Sequence, residues 1–456
     1  MLFVGKNPLH MNGKKIHIIG IGGTGMNGVA QLAAHAGYSV SGSDRATDLP
    51  IFQALEQLGI RIVPQDGSGI AKETDFVVYS TAIETSNPDI QQSNLLGIPL
   101  LHRADMLAKL CAGKEVIAVA GTAGKSTVTG LLGWIFQCLG KDPTVYCGAP
   151  VLNWQRRGGV PTALQRGEDT ASTVGNVRYG SGPWIIEADE SDRSFLKFHP
   201  NHAIITNISE DHFSLAELHK LFAQFESQVS GIVIQGSQDG CDTVPQASSP
   251  ALLGKHNVEN VNNALTLCKA LGLDMPKCIE AVATFKGIER RLERHGSKVI
   301  DDFAHSPVKI AAALEAVAEE FPAFSAYWRP HGYTPLSQGL DGFIEVFANH
   351  WELRPADRLF ILPVYFAGGT VNIKITSEQF VKRLQAVGVP AEFVPNYDAL
   401  EKRLLADANK YGGTAASPSS GIEADAPPKA AFGILGMGAR DPELPLFARR
   451  LATKLK

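Results

Sequence analysis

An apolar run that ends in two glycines, a lysine and two hydroxyls constrains this chain more than any other stretch: Val119-Ala-Gly-Thr-Ala-Gly-Lys-Ser-Thr127. Val116 to Ala120 reads as a buried strand, and Thr127 to Phe136 carries its apolar residues at helical spacing. A glycine turn between a strand and a helix is the setting of a phosphate cradle. Backbone N–H groups of the turn and the helix N-terminus point at phosphate oxygens, Lys125 neutralises the outer phosphates, and Ser126 is placed to ligate Mg²⁺. The usual pattern has a further glycine five positions before Gly124, where this chain has Val119. The loop is therefore a variant, G-T-x-G-K-S.

A chain of 456 residues exceeds one ordinary core and suggests three domains. Hydrophobic content of 44%, charged content of 19% and a net charge of -4 are those of a globular protein with no electrostatic case for nucleic acid. No run of 18 apolar residues occurs, and the first ten residues lack the apolar core of a signal peptide, so no membrane insertion and a cytoplasmic location are expected. The six cysteines form no C-x-x-C pair and are expected as buried free thiols.

Along the chain the patterning alternates strand and helix, giving an α/β fold. Residues 1–112 are expected as a Rossmann-like N-terminal domain, 113–293 as a central P-loop ATPase-type α/β domain, and 294–456 as a C-terminal Rossmann-like α/β domain. Residues 152–182 and 411–429, rich in small and polar residues, are expected as long loops.

Gly20-Ile-Gly-Gly-Thr-Gly25 follows a strand and opens a helix, and Asp44 closes the second strand. The turn suits a diphosphate and the carboxylate a ribose hydroxyl, of NAD or of any nucleoside diphosphate. In the central segment Glu187-Ala-Asp-Glu-Ser-Asp192 brings four carboxylates to a strand end, a concentration of charge that calls for Mg²⁺. Thr206-Asn-Ile-Ser-Glu-Asp-His212 ends the next strand. His212 is read as a ligand for a second metal, with a structural histidine as the plain alternative.

These segments, with Ser80-Thr-Ala-Ile83, Arg103-Ala-Asp-Met-Leu107, His256-Asn-Val-Glu-Asn260, Phe285 to Arg291 and Asp301-Asp-Phe-Ala-His305, occur in the order seen in Mur ligases, and the chain resembles that family over nearly its whole length. The resemblance implies an ATP-dependent amide synthetase acting on UDP-N-acetylmuramate. Gly22, Gly23, Gly25, Asp44 and Ser80 would hold the UDP-sugar. Gly121, Thr122, Gly124, Lys125, Ser126 and Thr127 would hold ATP, joined by Asn257, Asn260, Arg291 and Asp302. Ser126, Glu187 and His212 would bind Mg²⁺, with Lys125, Glu187 and His212 as the catalytic set. The muramyl carboxylate would become an acyl phosphate, which the acceptor amine then attacks.

The acceptor implied is L-alanine, or a short peptide in the tripeptide ligases of murein recycling. Ala123 replaces a histidine usual in the branch, and His331-Gly-Tyr-Thr-Pro335 replaces an H-R-Y-[ST]-R stretch whose two arginines grip the acceptor carboxylate. Phe303, His305 and Arg329 are the expected acceptor residues. Two other readings are a nicotinamide-dependent oxidoreductase built on the first glycine turn and a catalytically inactive regulatory relative.

Overall fold

A computed structural model describes residues 13–154, 172–209, 213–236, 247–366, 374–411 and 432–455. The expected N-terminal extension, His212 and most of the 411–429 loop lie outside the described residues, as do 155–171 of the 152–182 loop.

Three sheets follow one another along the chain. The first comprises β1 (Lys15–Ile19), β2 (Ser39–Asp44), β3 (Arg61–Pro64), β4 (Phe76–Tyr79) and β5 (Leu100–His102), all parallel in the order β3-β2-β1-β4-β5. The strand order reverses between β1 and β4, which opens a crevice beyond their carboxyl ends. Gly20 and Ser80 stand at that edge, immediately after the two strands.

The second sheet comprises β6 (Val116–Ala120), β7 (Thr144–Tyr146), β8 (Ser172–Val174), β9 (Val177–Tyr179), β10 (Trp184–Glu187), β11 (His202–Ile205) and β12 (Val233–Gln235), ordered β12-β11-β6-β10-β7-β9-β8. β6, read from sequence as a buried strand, is buried at every position because it lies between β11 and β10 with sheet on both sides. β8 and β9 pair antiparallel as a hairpin, correcting the expectation of an unstructured 152–182.

The third sheet comprises β13 (Glu293–His295), β14 (Val299–Asp302), β15 (Ala323–Arg329), β16 (Arg358–Ile361), β17 (Ala391–Phe393) and β18 (Phe432–Gly438), ordered β13-β14-β18-β15-β16-β17. Only β13 runs antiparallel within it. Aromatic packing of Trp328 against Phe343, Phe347 and Phe380 fills one of its faces.

The α/β class expected from the alternation is thus observed. The chain forms two compact units: one of residues 1–249 with 258–288, holding the first two sheets, and one of residues 250–257 with 289–456, holding the third. Among the described cysteines all five are free, and Cys138 is exposed rather than buried because it ends its helix on the solvent side.

Candidate functional site

The phosphate loop is shaped by its own glycines and held by the end of β11. Gly121 (φ +130°) and Gly124 (φ +82°) adopt left-handed backbone conformations that other residues avoid. A Cβ on Gly121 would lie 2.0 Å from Thr206 Oγ1, and one on Gly124 would lie 2.2 Å from Asn260 Oδ1. Gly124 caps the helix Lys125–Cys138, so the loop ends on a helix N-terminus whose N–H groups have no intrahelical partner. Ser126 and Thr127, buried in its first turn, follow directly.

Asn207 grips the loop from both sides. Its Oδ1 accepts from Thr122 Oγ1 at 2.6 Å and from the Ala123 N–H at 3.0 Å, while its Nδ2 donates to the Ala123 carbonyl at 3.0 Å. Thr206 Oγ1 donates to the same carbonyl at 2.5 Å. Of the 206–212 stretch, whose metal candidate His212 lies outside the described residues, Thr206 and Asn207 set the loop. Ala123 contributes backbone to this clamp while its methyl group is exposed.

Lys125 Nζ donates to the Gly121 carbonyl at 2.7 Å and pairs with Glu190 Oε2 at 2.6 Å, both side chains nearly buried. Burial pulls its pKa down, but Glu190, Asp189 and Glu187 outweigh that and raise it above the ordinary lysine value. Burial raises the Asp189 carboxyl, yet Lys125, the Ser191 bonds and Arg103 together hold it below the usual range. Burial prevails at Glu190, which lies above it despite Lys125. Glu187, at the end of β10, accepts the Gly148 N–H on Oε2 at 2.6 Å, and a Cβ on Gly148 would collide with that carboxylate at 2.5 Å. Three carboxylates thus act on one ammonium, Glu190 in direct contact with it.

At the first glycine turn, Asp44 closes back on the backbone: Oδ2 accepts the Gly22 N–H at 2.9 Å and Oδ1 the Ala46 N–H at 3.0 Å. Gly23, Gly25 and Ser80 line a cavity of about 350 Å³ that Gly148, Glu187 and Asp189 also line. Arg103 and Tyr146 line the same space. Arg103 Nη1 donates to Tyr146 Oη at 3.0 Å, Tyr146 Oη donates to the Gly25 carbonyl at 3.0 Å, and Arg103 Nη2 lies 3.6 Å from Asp192. Sequence reasoning missed Tyr146 as a site group, and it noted Glu190 and Asn207 within motifs without assigning Glu190 to Lys125 or Asn207 to the loop. Arg103 stood in a recognised motif, but nothing in its local pattern marked the partners that folding brings to it.

In the second unit, Asp302 is buried and accepts the Leu292 N–H at 2.8 Å; burial raises its pKa against the pull of Arg291. Arg291 lies over the Phe303 ring at 5.4 Å. Asn257 Nδ2 donates to the Leu253 carbonyl at 2.8 Å. Phe303, His305 and His331 form an aromatic chain with centroids 5.4 and 5.0 Å apart. His305 Nδ1 sits 2.8 Å from the Phe303 carbonyl, and burial, with Lys309 next in weight, lowers its pKa to about 4. Arg329 is engaged by Asp441 at 2.5 Å and flanked by the rings of Tyr365 and Tyr397.

Residues 15–115 match the model of the Mur ligase family, catalytic domain. The chain is 31% identical to a UDP-N-acetylmuramate–L-alanine ligase of Burkholderia ambifaria, over 84% of this chain and 90% of that one. The crystal structure of the corresponding UDP-N-acetylmuramate–alanine ligase of Thermotoga maritima superposes with a TM-score of 0.72 at 25% identity, covering 96% of this chain and 98% of that one. A murein peptide ligase of Psychrobacter arcticus shares the fold, with a TM-score of 0.59 at 22% identity over 97% and 98%. Both the 31% identity over most of the chain and the superposition on the Thermotoga maritima ligase make this chain a member of the Mur ligase family of ATP-dependent ligases.

Proposed function

We propose that this enzyme joins the carboxylate of UDP-N-acetylmuramate to the amino group of L-alanine, with ATP as the driving substrate, in peptidoglycan synthesis. The observation that carries the reading is the shared cavity, lined both by the first glycine turn and by the carboxylates Glu187 and Asp189 of the phosphate-loop sheet. A carboxylate does not react with an amine unaided, because oxide would have to leave. Phosphorylation supplies a leaving group, and the neutral amine then attacks the acyl phosphate through a tetrahedral intermediate that expels phosphate.

Residues 1–112 would hold the UDP-sugar, 113–293 the ATP and 294–456 the acceptor. Gly22, Gly23 and Gly25 present backbone to the diphosphate, and Ser80 faces the same space. The amides from Gly121 to Thr127 cradle the ATP phosphates. Lys125 exchanges its bond with Glu190 for a phosphoryl oxygen, and Arg103, facing the cavity, orients the muramyl carboxylate. Asn257, Asn260, Arg291 and Asp302 serve the rest of the nucleotide.

The donor set fits Mg²⁺. Glu187, Asp189 and Glu190 exceed the charge of Lys125, and oxygen donors are what that ion takes. Glu187 and Ser126 would hold it, with His212 at a second ion; bound Mg²⁺ supplies charge neutralisation at the phosphoryl oxygens. Among the described residues no helix is long and apolar enough to cross a membrane. A cytoplasmic location accords with the substrates.

A tripeptide acceptor is the second reading. It is favoured by Gly332 and Pro335, which replace the acceptor arginines, and by the engagement of Arg329 with Asp441. The test measures phosphate release with ATP and UDP-N-acetylmuramate against L-alanine, other amino acids and L-alanyl-γ-D-glutamyl-meso-diaminopimelate. Release that requires both the sugar nucleotide and L-alanine is expected; preference for the tripeptide moves the enzyme to the second reading. No amine-dependent release at all would remove both and leave the inactive relative.

A further inference from the structure

Neighbouring strands of the third sheet align polar groups on one face, none of them assigned above to catalysis. Glu293 on β13 is paired with Asp301 on β14, Asp301 with Gly436 on β18, and Gly436 with Tyr327 on β15. Paired residues share a face of a sheet, as does His295, two residues from Glu293. Gly436 leaves the row bare: a Cβ there would lie 2.3 Å from Tyr327 Oη, so the phenol lies across the glycine.

Glu293, His295 and Asp301 each present a ligand atom, all within 4.8 Å of one another. His295 Nδ1 stands 3.7 Å from Glu293 Oε1. Each carboxylate is anchored through one oxygen. Asp301 Oδ2 accepts from Arg290 Nε at 3.1 Å, and Glu293 Oε2 accepts the Arg290 backbone N–H at 2.9 Å. The second oxygen of Asp301, a residue with no exposed surface, has no hydrogen-bond partner among the described residues; neither does His295 Nε2 or Tyr327 Oη. Three buried polar atoms left unsatisfied in one cluster is a costly arrangement unless something occupies it.

Charge points the same way. The facing groups are the carboxylates of Glu289, Glu293 and Asp301 and the guanidiniums of Arg290 and Arg449, the latter bonded to Glu289 at 2.5 Å and 3.8 Å from Glu293. With His295 neutral, one negative charge remains uncompensated beside a protein core.

We propose that Glu293, His295 and Asp301 form a binding site for one divalent transition-metal ion of the Zn²⁺ class, pinning the β13–β14 hairpin to its sheet. One imidazole and two carboxylates are a donor set for Zn²⁺, Mn²⁺ or Fe²⁺, whereas Mg²⁺ favours oxygen alone. Arg290 supplies the outer hydrogen bonds that orient ligating carboxylates. The role is structural.

Full-length protein stripped with chelator and titrated with Co²⁺ at saturating Mg²⁺ tests this by visible absorption and elemental analysis. One equivalent with d–d bands, displaced by Zn²⁺, is expected in the native chain and in Glu187→Gln, and is expected to vanish in His295→Gln. His295 is the residue to change because it reaches the surface, and circular dichroism establishes that the variant is folded. Absence of saturable Co²⁺ or Zn²⁺ binding in the native chain, or binding unchanged in folded His295→Gln, overturns the proposal. The first of those outcomes means that a proton balances the surplus charge.

Discussion

Lys125 illustrates what one residue reveals before and after folding. Its place after Gly124 marks it as a phosphate ligand, but its partner Glu190 lies 65 residues away and is one of four similar carboxylates in a short run. Lys125→Met is expected to lower kcat by about 10² to 10³, the usual cost of removing one charge-stabilising donor, about 2.7 to 4 kcal/mol. Single-turnover phosphate release measures it, and a loss confined to ATP KM would show that the lysine binds without assisting the chemistry. His305 sets a second prediction at this scale. Its pKa falls from 6.5 to about 4 on folding, so the unfolded chain binds the extra proton between those values. Stability is therefore complete above pH 6.5 and declines as pH falls toward 4, by up to about 3 kcal/mol for a shift of this size. Urea unfolding at pH 7.5 and 5 should show that decline in the native chain and a shallower one in His305→Gln. Equal slopes would refute the assignment.

At the scale of elements, long periodic segments were legible and short edge elements were not. The helix Ser377–Ala386 and the strand β15 fall where their spacing places them, because each buries one regular face. β8, β9 and β13 have three residues each, too few to display a period, and they are set by their hairpin pairings, β8 with β9 and β13 with β14, and by β9's pairing with β7. The phosphate loop was legible as glycines, but not its clamp. Asn207 lies 85 residues from Thr122, and its hydrogen bonds carry no sequence signature. Asn207→Ala removes three bonds to the loop, leaving the Ala123 N–H and carbonyl to other partners. The expected result is a rise in ATP KM of about tenfold, equivalent to about 1.4 kcal/mol for one net hydrogen bond, with the KM for UDP-N-acetylmuramate little changed. Gly124→Ala places a methyl group 2.2 Å from Asn260 Oδ1 at a positive φ and should weaken ATP binding at least as much.

For the molecule as a whole, the first unit brings the first glycine turn and the acidic end of β10 to one cavity, and a short polar chain lines it. Tyr146 rises from the second sheet, donates to the Gly25 carbonyl of the first glycine turn and accepts from Arg103, which in turn faces Asp192 in the acidic run. The chain has no equivalent in the sequence pattern, since Tyr146 ends an unremarkable three-residue strand and the motif opened by Arg103 begins a helix without marking its partners. If the two turns hold their nucleotides as proposed, a ligand ordering the glycine turn also acts through Tyr146 and Arg103 on the acidic run, and by linkage each nucleotide then favours the other equally. Coupling between sites typically spans 5- to 150-fold, or about 1 to 3 kcal/mol. UDP-N-acetylmuramate is accordingly expected to tighten binding of a non-hydrolysable ATP analogue by at least about fivefold in calorimetric titrations, and the analogue to tighten the sugar nucleotide by the same factor. Tyr146→Phe keeps the ring that packs on Gly28 and deletes only the hydroxyl that joins Gly25 to Arg103. In that variant the coupling should fall toward unity while each nucleotide alone binds nearly as before. Retention of the full factor would place the communication elsewhere in the unit, and loss of UDP-N-acetylmuramate affinity by itself would make Tyr146 a binding residue rather than a connector.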